Sequence, residues 1–366
     1  MIKVGTVFTG IGAFEYALKK MKIPYSISFA CDCGDRKIEL DNTKIKEFNS
    51  LPSKERRTAV ENFYNSCKKE NRVKDTYFKN FKIKDENWYS DIRFLDGTPF
   101  KNKIDIFVGG SPCQSFSLMG KRRGLEDARG TLFYEFARLV NEIKPRVFIY
   151  ENVPGMLVHD SGKTWETIEN IFDSLGYKIS WDVLNSCDYG IPQSRKRLFV
   201  VGFRDTTTKD FKFPKKVKLN KVASDFYENN IDEKFYLKEK GFKFVTSKKN
   251  RGRAKINSTI IRTQKRNQQF NWNGDFVFVK KDEVPNHILK TAYLGQYNGE
   301  IGVARKLTPR ECHRLMGFGD DFIINEHVVD AYKQAGNSIV VDVLERIIKQ
   351  ILKVLEWLGL VQFLVE

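Results

Sequence analysis

The sequence predicts an α/β protein with a doubly wound sheet and a second, smaller domain. Short runs of β-branched and aromatic residues alternate with helix-like segments over roughly the first two hundred residues, which is typical of this fold class. A strongly basic stretch follows, and an amphipathic helix pattern lies near the end of the chain. Because 41% of the 366 residues are apolar, the chain can bury at least one sizeable core.

Six strands and four helices make up this pattern. The predicted strands are 4–8, 25–30, 104–108, 147–150, 179–184 and 198–203. The predicted helices are 13–21, 132–143, 164–175 and 339–358. Residues 36–90 interrupt the alternation, since they are rich in Lys, Glu and Asn and contain a plausible helix start at Pro52. We therefore predict a mostly helical insertion without a strand of its own.

Positive charge is concentrated in one part of the chain. There are 63 Lys and Arg against 46 Asp and Glu, which leaves a formal net charge of +17. Between Lys240 and Gly274 there are ten Lys or Arg and no Asp or Glu, interleaved with Asn and Gln. A solvated surface is the plain interpretation of a basic run. The missing acidic residues and the side chains that can contact base edges favour nucleic acid as the partner.

Composition also limits the cellular setting. No run of about 18 uncharged apolar residues occurs, and the first residues lack the apolar core of a secretory signal, so we expect a soluble cytoplasmic protein with no membrane partner. The six cysteines lack paired CxxC spacing. We therefore expect free thiols rather than disulfides or a structural metal site.

A glycine-containing turn follows the first predicted strand. Residues 8–14 run Phe-Thr-Gly-Ile-Gly-Ala-Phe, and Gly10 and Gly12 let the backbone approach a ligand at the carboxyl edge of the sheet. Asp32 follows the second predicted strand, where an acidic side chain can accept hydrogen bonds from ribose hydroxyls. The turn lacks a full GxGxxG, so it favours a nucleoside cofactor without a diphosphate. A tight turn without a ligand is the alternative.

Cys113 stands at the same edge of the predicted sheet. The strand at 104–108 runs into Gly109-Gly110-Ser111-Pro112-Cys113-Gln114. Most cysteines are buried apolar residues, but a thiol at the junction of a strand and a loop favours a nucleophile. Residues 115–130 are basic and punctuated by glycine, and they could close over an anionic substrate.

Six short sequence blocks are spread along most of the chain. They are Phe-Thr-Gly-Ile-Gly at 8–12, Gly-Ser-Pro-Cys-Gln at 110–114, Glu-Asn-Val at 151–153, Gln-Ser-Arg-Lys-Arg at 193–197, Arg-Lys-Leu-Thr-Pro-Arg-Glu at 305–311 and Gln-Ala-Gly-Asn-Ser at 334–338. Together these blocks resemble the cytosine-C5 DNA methyltransferase family. Two segments fall outside the blocks: the 36–90 insertion, and 204–303, where this family keeps its variable target-recognition region. The resemblance implies a Rossmann-like S-adenosylmethionine-dependent methyltransferase domain with a smaller target-recognition domain.

The chemistry of cytosine methylation suits two of these residues. C5 of cytosine is a poor nucleophile, and addition of a thiolate to C6 makes C5 reactive towards a methyl donor. Cys113 would provide the thiolate, with nearby arginines favouring its ionisation. Glu151, at the end of a predicted strand, would stabilise charge at the N3 side of the ring. Outside its Glu-Asn-Val block, such a glutamate would more often be an ordinary surface or ion-paired carboxylate.

The resemblance assigns the remaining site residues. It places Arg195 at the pyrimidine O2 and has Arg197 hold the active-site loop and substrate; phosphate contact or solvation is the plain alternative for both arginines. It implies S-adenosylmethionine as the cofactor, bound by Phe8, Gly10, Gly12, Asp32, Asp91, Ile92, Pro112 and Asn337. Position 32 departs from the family, in which Glu is commoner. No histidine lies in the blocks, so water is the expected base for the C5 proton.

The blocks also predict the domain boundaries. A catalytic domain spans 1–203 and contains the 36–90 insertion, a target-recognition domain spans 204–329, and 330–366 return to the catalytic domain. A cytosine in double-stranded DNA must be flipped out, because stacking covers both faces of the base. The candidate DNA-contacting residues are Lys121, Arg122 and Arg123 in the loop and Arg251, Arg253, Arg262, Gln264, Arg266, Asn267, Gln268 and Gln269 in the recognition segment.

The sequence therefore predicts a DNA (cytosine-5)-methyltransferase that modifies a short specific sequence. The resemblance implies a monomer in a bacterial restriction-modification system, with a cognate restriction endonuclease that acts independently. A tRNA cytosine methyltransferase is one alternative, disfavoured by a recognition insert of about a hundred residues. A catalytically silent DNA-binding regulator is another, disfavoured by the intact Cys113, Glu151 and Arg195.

Overall fold

The structure, a computed structural model, describes residues 1–36, 38, 40–111, 132–204, 210–267, 269–270 and 272–357. Of residues 356 and 357 it describes the backbone but not the side chains. It divides into two compact units. The first comprises Met1–Leu184, Lys196–Lys215 and Leu344–Glu366, and the second comprises Asn185–Arg195 and Lys216–Val343. Each unit has its own sheet and its own hydrophobic core.

A sheet of seven strands, counted over the described residues, forms the centre of the first unit. The strands of the chain up to residue 203 are β1 (Ile2–Val7), β2 (Tyr25–Cys31), β3 (Trp88–Tyr89), β4 (Ile106–Gly109), β5 (Val147–Asn152), β6 (Lys178–Asn185), β7 (Gln193–Ser194) and β8 (Lys196–Phe203). Across the sheet the order is β3-β2-β1-β4-β5-β8-β6, and β7 belongs to the second unit. The pairs from β3 to β5 are parallel, whereas β8 runs antiparallel to β5. Burial of β4 and β5 explains their continuous apolar runs.

Aromatic packing joins the helices of the first unit to this sheet. The helices that precede residue 184 are α1 (Ala13–Lys20), α2 (Asn42–Ser50), α3 (Ser53–Asn65), α4 (Arg72–Asn80), α5 (Leu132–Ile143) and α6 (Lys163–Ser174). Phe107 of β4 stacks on Phe136 of α5 with ring centroids 4.9 Å apart. The rings of Phe148 on β5 and Phe172 on α6 lie 4.4 Å apart. These buried rings fix both helices on the sheet, because large aromatic side chains dominate core energetics.

The predicted helical insertion is present as α2, α3 and α4. Pro52 directly precedes α3, as expected from its fixed φ angle. A small core formed by Phe48, Val60 and Tyr64 with Phe94 holds the insertion together. The prediction that 36–90 contain no strand is wrong, because β3 pairs with the end of β2 as an edge strand. Two residues are too few to give a strand pattern in the sequence.

The second unit is built around a smaller sheet. Its remaining elements are α7 (Glu239–Thr246), β9 (Lys255–Ile256), β10 (Ile261–Arg262), β11 (Asp275–Lys280), α8 (Asn286–Leu289), β12 (Gly295–Tyr297), β13 (Glu300–Lys306), α9 (Pro309–Arg314) and α10 (Val328–Asn337). One sheet has the order β12-β13-β11-β9, and β10 pairs with β7 in parallel. Thr308 and Glu311 form a capping box that begins α9, with Pro309 at its first position.

The C-terminal helix α11 (Val341–Trp357) matches the amphipathic pattern predicted for 339–358. Its Glu345 forms an ion pair with Lys20 of α1, with 2.8 Å between Nζ and Oε1. This ion pair joins α11 to the first helix of the same unit. Among the helices of the described chain, none combines the length and apolar character that crossing a membrane requires. The five cysteines within the described ranges are free thiols, as expected.

The predicted strands and long helices end within two residues of the observed ones, but the division into units differs from the predicted domains. Segments 185–195 and 330–343, which the sequence assigned to the catalytic domain, lie in the second unit. Hydrogen bonds agree with this placement: the Nε2 of Gln193 donates to the carbonyl of Leu315 at 2.8 Å, and Arg195 donates to the carbonyls of Gly336 and Ser338. Conversely, residues 210–215 lie in the first unit, where Asp210 pairs with Lys178.

Candidate active site

The turn after β1 presents backbone at the edge of the sheet. Phe8, Gly10 and Gly12 have positive φ angles of 52°, 54° and 83°, a region that favours glycine. A Cβ atom placed on Gly10 would meet no other atom within 4 Å. The space above this turn is therefore open, and a ligand can approach the backbone there.

Asp32 lies directly after β2, beside that turn. Its Oδ2 accepts a hydrogen bond from the backbone N–H of Gly10 at 2.8 Å, and its Oδ1 accepts one from Gly34 at 2.7 Å. Burial raises the pKa of Asp32, while these two N–H groups act in the opposite direction. A carboxylate offers about four acceptor positions, so capacity remains for hydroxyl donors. The open turn and this acidic side chain fit a nucleoside without a diphosphate.

Asp91 and Ile92 follow the edge strand β3. The Oδ2 of Asp91 accepts hydrogen bonds from the hydroxyl of Tyr64 at 2.6 Å and from Nη2 of Arg93 at 2.6 Å. Its Oδ1 accepts a bond from the backbone N–H of Arg93 at 3.0 Å. The Ile92 side chain is buried in the main core of the first unit. Asp91 and Ile92 are both predicted to bind the cofactor, and Asp91 is the one with a polar side chain.

Glu15 on α1 is a buried carboxyl that the sequence analysis did not single out. Its Oε1 accepts hydrogen bonds from the hydroxyls of Thr6 and Tyr77, both at 2.7 Å. Burial raises the pKa of Glu15 although both hydroxyls lower it. The available signal was a glutamate within an otherwise apolar or aromatic run, Ala-Phe-Glu-Tyr-Ala-Leu. Tyr77 belongs to the insertion, so no local pattern could reveal the contact.

Glu151 and Arg197 form an ion pair at the carboxyl end of β5. The Oε1 of Glu151 lies 3.0 Å from the Nε of Arg197, and the two side chains are 15% and 18% exposed. Antiparallel pairing places Glu151 opposite Phe199, which makes Arg197 its diagonal neighbour on the same face. The register of β5 and β8 therefore creates the pair.

The backbone that leads to Cys113 passes directly beside this pair. The carbonyl of Ser111 accepts a hydrogen bond from Nδ2 of Asn152 at 2.9 Å. A Cβ atom on Gly110 would lie 2.8 Å from the carbonyl oxygen of Glu151 and 3.0 Å from its Oε2, so this approach needs glycine. Pro112 and Cys113 lie outside the described residues, as do Lys121, Arg122 and Arg123.

Arg195 and Asn337 belong to the second unit. Arg195 is 4% exposed, and its guanidinium donates to the carbonyl oxygens of Gln264 at 2.8 Å, Gly336 at 3.1 Å and Ser338 at 2.7 Å. The last two residues flank Asn337, which ends α10 and is exposed. These hydrogen bonds give Arg195 a bracing role next to Asn337. Its predicted contact with the pyrimidine O2 stays a prediction.

The candidate DNA-contacting residues of the recognition segment differ in exposure. The exposed ones are Arg251, Arg253, Arg266 and Asn267. Gln264 and Gln269 are 2% and 0% exposed, so in this arrangement they are poor candidates, contrary to the sequence prediction. Arg262 is half-buried and pairs with Asp275, with 3.3 Å between Nε and Oδ2. Gln268 lies outside the described residues.

The known proteins that this chain resembles in sequence and in structure include several methyltransferases. The family model for C-5 cytosine-specific DNA methylases matches residues 2–353. Type II methyltransferase M.HpaII from Haemophilus parainfluenzae is 32% identical over 320 residues, which cover 81% of this chain and 86% of that protein. Type II methyltransferase M.Bsp6I from Bacillus sp. (strain RFL6) is 36% identical over 289 residues, or 76% and 87%. The S. pombe Dnmt2 methyltransferase structure shares the fold, with a TM-score of 0.68 at 18% identity over 98% of this chain and 100% of that chain.

Proposed function

Since the chain belongs to the C-5 cytosine-specific DNA methylase family and is a DNA (cytosine-5)-methyltransferase, we propose that it methylates C5 of a cytosine flipped out of double-stranded DNA, with S-adenosylmethionine as methyl donor. The observation that carries this proposal is the Glu151–Arg197 pair, with the Gly110–Ser111 backbone packed beside it. That backbone directly precedes Cys113 in the chain. The pair therefore lies beside the backbone that leads along the chain to the proposed nucleophile.

Cys113 is the proposed nucleophile. Its thiolate adds to C6 of cytosine, a carbon–sulfur bond forms, and electron density moves onto C5 and towards N3. After methylation at C5, water takes the C5 proton, the C–S bond breaks and the Cys113 thiolate leaves. These two steps restore the aromatic ring and return the enzyme to its starting state.

Glu151 is proposed to hydrogen-bond the N3 side of the ring, where charge develops during thiolate addition. Arg197 binds Oε1 of that carboxyl, and Oε2 lies next to Gly110, 3.0 Å from the position that a Cβ atom there would take. The carboxyl is therefore oriented before the substrate arrives. Preorganisation of this kind matters because groups that need not reorient during the reaction stabilise its transition state most.

S-adenosylmethionine, when bound, supplies an electrophilic methyl group. The residues proposed to hold it are Phe8, Gly10, Gly12, Asp32, Asp91, Ile92, Pro112 and Asn337. The open space over Gly10 and the spare acceptor positions of Asp32 support this assignment. Arg195 contributes by bracing the residues on both sides of Asn337.

We assign target recognition and DNA contact to the second unit. It carries the stretch between Lys240 and Gly274, in which ten Lys or Arg occur without an acidic residue. Contacts between such a surface and DNA phosphates offset the free-energy cost of flipping out a base, which is roughly a few kcal/mol. Because relatives are named Type II methyltransferases, we further propose a monomer that protects DNA in a restriction-modification system alongside a separate cognate endonuclease.

A covalent trap tests the mechanism. A duplex that carries 5-fluorocytosine at the target site retains fluorine at C5, so the sulfur cannot be released after methylation. The duplex should form an adduct at Cys113 that survives denaturation, and Cys113→Ser should bind the same DNA without forming it. Bisulfite sequencing of DNA from expressing cells should identify the target sequence. Transfer of label to tRNA but not to DNA would contradict the proposal, and DNA binding without any methyl transfer would indicate a regulator.

A further inference from the structure

We propose that Tyr64, on the helical insertion, is a positioning residue for cofactor binding that holds the Asp91 carboxylate where the adenine end of S-adenosylmethionine binds. The inference rests on the proposed function, which assigns Asp91 to the cofactor. None of the six family blocks includes Tyr64 or any other residue of 36–90. The insertion would therefore be part of the cofactor site of this enzyme rather than a peripheral addition.

The contact between the two side chains is direct and buried. The hydroxyl of Tyr64 donates to Oδ2 of Asp91 at 2.6 Å, and the two residues are 2% and 7% exposed. Burial, together with the charge of Asp91, raises the pKa of Tyr64 far above its usual value. The phenol is therefore protonated at neutral pH and can donate to the carboxylate. Hydrogen bonds to a carboxylate are among the stronger ones in proteins.

Tyr64 supplies a constraint that Arg93 cannot. Arg93 binds both oxygens of Asp91, but it lies two residues along the same turn and its side chain is 26% exposed. Because Asp91 and Arg93 lie in the same turn, their ion pair does not restrain that turn relative to the rest of the unit. Tyr64 lies 27 residues earlier in the chain on a separate helix, so its hydrogen bond fixes the turn against the body of the unit.

Tyr64 is itself held firmly. The guanidinium of Arg36 lies 4.9 Å from the centre of the Tyr64 ring and donates to the Tyr64 carbonyl at 3.0 Å. The same helix binds the residue before Asp91, because Glu61 accepts hydrogen bonds from the N–H of Ser90 at 2.6 Å and from its hydroxyl at 2.9 Å. Helix α3 therefore fixes residues 90 and 91 through three hydrogen bonds.

A second contact of the insertion reaches another proposed cofactor residue. Asn71, at the start of α4, donates from Nδ2 to the backbone carbonyl of Asp32 at 2.9 Å. Asp32 in turn accepts the N–H of Gly10, in the turn after β1. The insertion is thus connected by hydrogen bonds to Asp91, Asp32 and, through Asp32, the glycine turn. This continuity supports a role for the insertion in cofactor binding.

Substitution of Tyr64 by Phe tests the proposal, because it removes the hydroxyl and keeps the ring. For Tyr64→Phe, calorimetry on the full chain without DNA should give a dissociation constant for S-adenosylmethionine about tenfold higher. The KM for the cofactor should rise similarly, while kcat at saturation changes less than about twofold. Tyr177→Phe is the matched control, since it also removes a buried hydroxyl hydrogen bond, to the carbonyl of Pro145 at 2.7 Å. It should leave the dissociation constant unchanged.

A double-mutant cycle separates this inference from the proposed function. Asp91→Asn should weaken cofactor binding on its own, and adding Tyr64→Phe to it should weaken binding less than about twofold further, because the two residues act as a unit. If Asp91→Asn weakens binding but Tyr64→Phe behaves like Tyr177→Phe, the positioning role is wrong and the proposed function stands. If Asp91→Asn has no effect, the assignment of Asp91 to the cofactor is wrong, and the role of Tyr64 is lost with it.

Discussion

Single side chains at the sheet edge owe their positions to strand register. Glu151 and Arg197 are 46 residues apart, and a shift of one residue between β5 and β8 would turn Arg197 to the opposite face. Arg195 and Arg197 are two residues apart in the sequence, a spacing that puts side chains on one face when both residues lie in a strand. In the structure Arg195 precedes β8 and belongs to the second unit, whereas Arg197 lies in β8 and belongs to the first. The two arginines therefore make their contacts in different units.

Arg197→Met should lower kcat about 10- to 100-fold, because the Glu151 carboxyl loses the group that orients it. The KM for S-adenosylmethionine should change less than about threefold, since Arg197 is not among the proposed cofactor residues. Single-turnover methylation of a defined duplex measures the effect. Arg146→Met is the control, because Arg146 pairs with Asp105 in the same unit at 3.4 Å, away from the proposed site. Equal rates for the two variants would contradict the role of Arg197.

His313 should make the stability of the protein depend on pH. It is fully buried, burial lowers its pKa to about 4, and its Nδ1 lies 2.7 Å from the carbonyl of Pro309. The unfolded chain binds a proton at this residue near pH 6.5, whereas the folded chain does not until about pH 4. Between these values the unfolded state binds more protons. The free energy of unfolding therefore falls as the pH is lowered, by about 3 kcal/mol.

Denaturant titrations from pH 7 to pH 4.5 measure this dependence. His313→Asn should be less stable than the wild type at pH 7, because it disturbs a packed site. The difference should shrink at lower pH, since the variant lacks the titrating ring. His327 is exposed, so His327→Asn should follow the wild type at each pH. A constant difference between wild type and His313→Asn would show that His313 does not titrate in this way.

At the scale of the element, the pairing of β5 with β8 depends on a residue without a side chain. Gly202 lies opposite Phe148, and a Cβ atom there would overlap the Phe148 ring. Gly202→Ala should therefore lower the free energy of unfolding by about 1–3 kcal/mol, measured in urea. Gly155→Ala is the control, because its Cβ would meet no atom within 4 Å. A neutral Gly202→Ala would mean that the ring moves aside at little cost.

Elements that carry long apolar runs could be predicted, and those held by distant contacts could not. The runs of β1 and β5 and the pattern of α5 are local properties of the sequence, so their bounds agree with the structure to within two residues. The edge strand β3 has two residues and exists because it pairs with the end of β2. Burial of Gln264 likewise depends on β10 pairing with β7, a contact about 70 residues apart in sequence.

The candidate site shows the same limit. The glycines after the first strand, Asp32 and Glu151 could be singled out because each lies at or just after the end of a strand and has a distinct local pattern. Cys113 was singled out on the same kind of pattern but lies outside the described residues. Tyr64 could not, because its effect on Asp91 requires α3 to return over the edge of the sheet. Nothing in the composition of 36–90 distinguishes a helix that braces a site from one that covers a surface.

For the molecule as a whole, charge is the property most easily taken from the sequence. A net charge of +17 attracts DNA to the protein as a whole without favouring one surface. The basic stretch between Lys240 and Gly274 favours contact at that part of the chain. In this stretch the side chains of Arg251 and Arg266 are exposed, whereas those of Gln264 and Gln269 are buried in the second unit. Binding strength should then depend on where charge is removed as well as on how much.

Salt dependence tests this expectation. Each phosphate contact contributes a slope of about −0.9 to a plot of log affinity against log salt concentration. If Arg251 and Arg266 each contact a phosphate, Arg251→Gln with Arg266→Gln should reduce the steepness by about 2 and raise Kd most at low salt. Lys54→Gln with Lys68→Gln removes the same charge from exposed positions of the insertion and should change the slope by less than about 0.5. Equal effects of the two pairs would mean that DNA responds to the total charge of the molecule rather than to contacts made by the second unit.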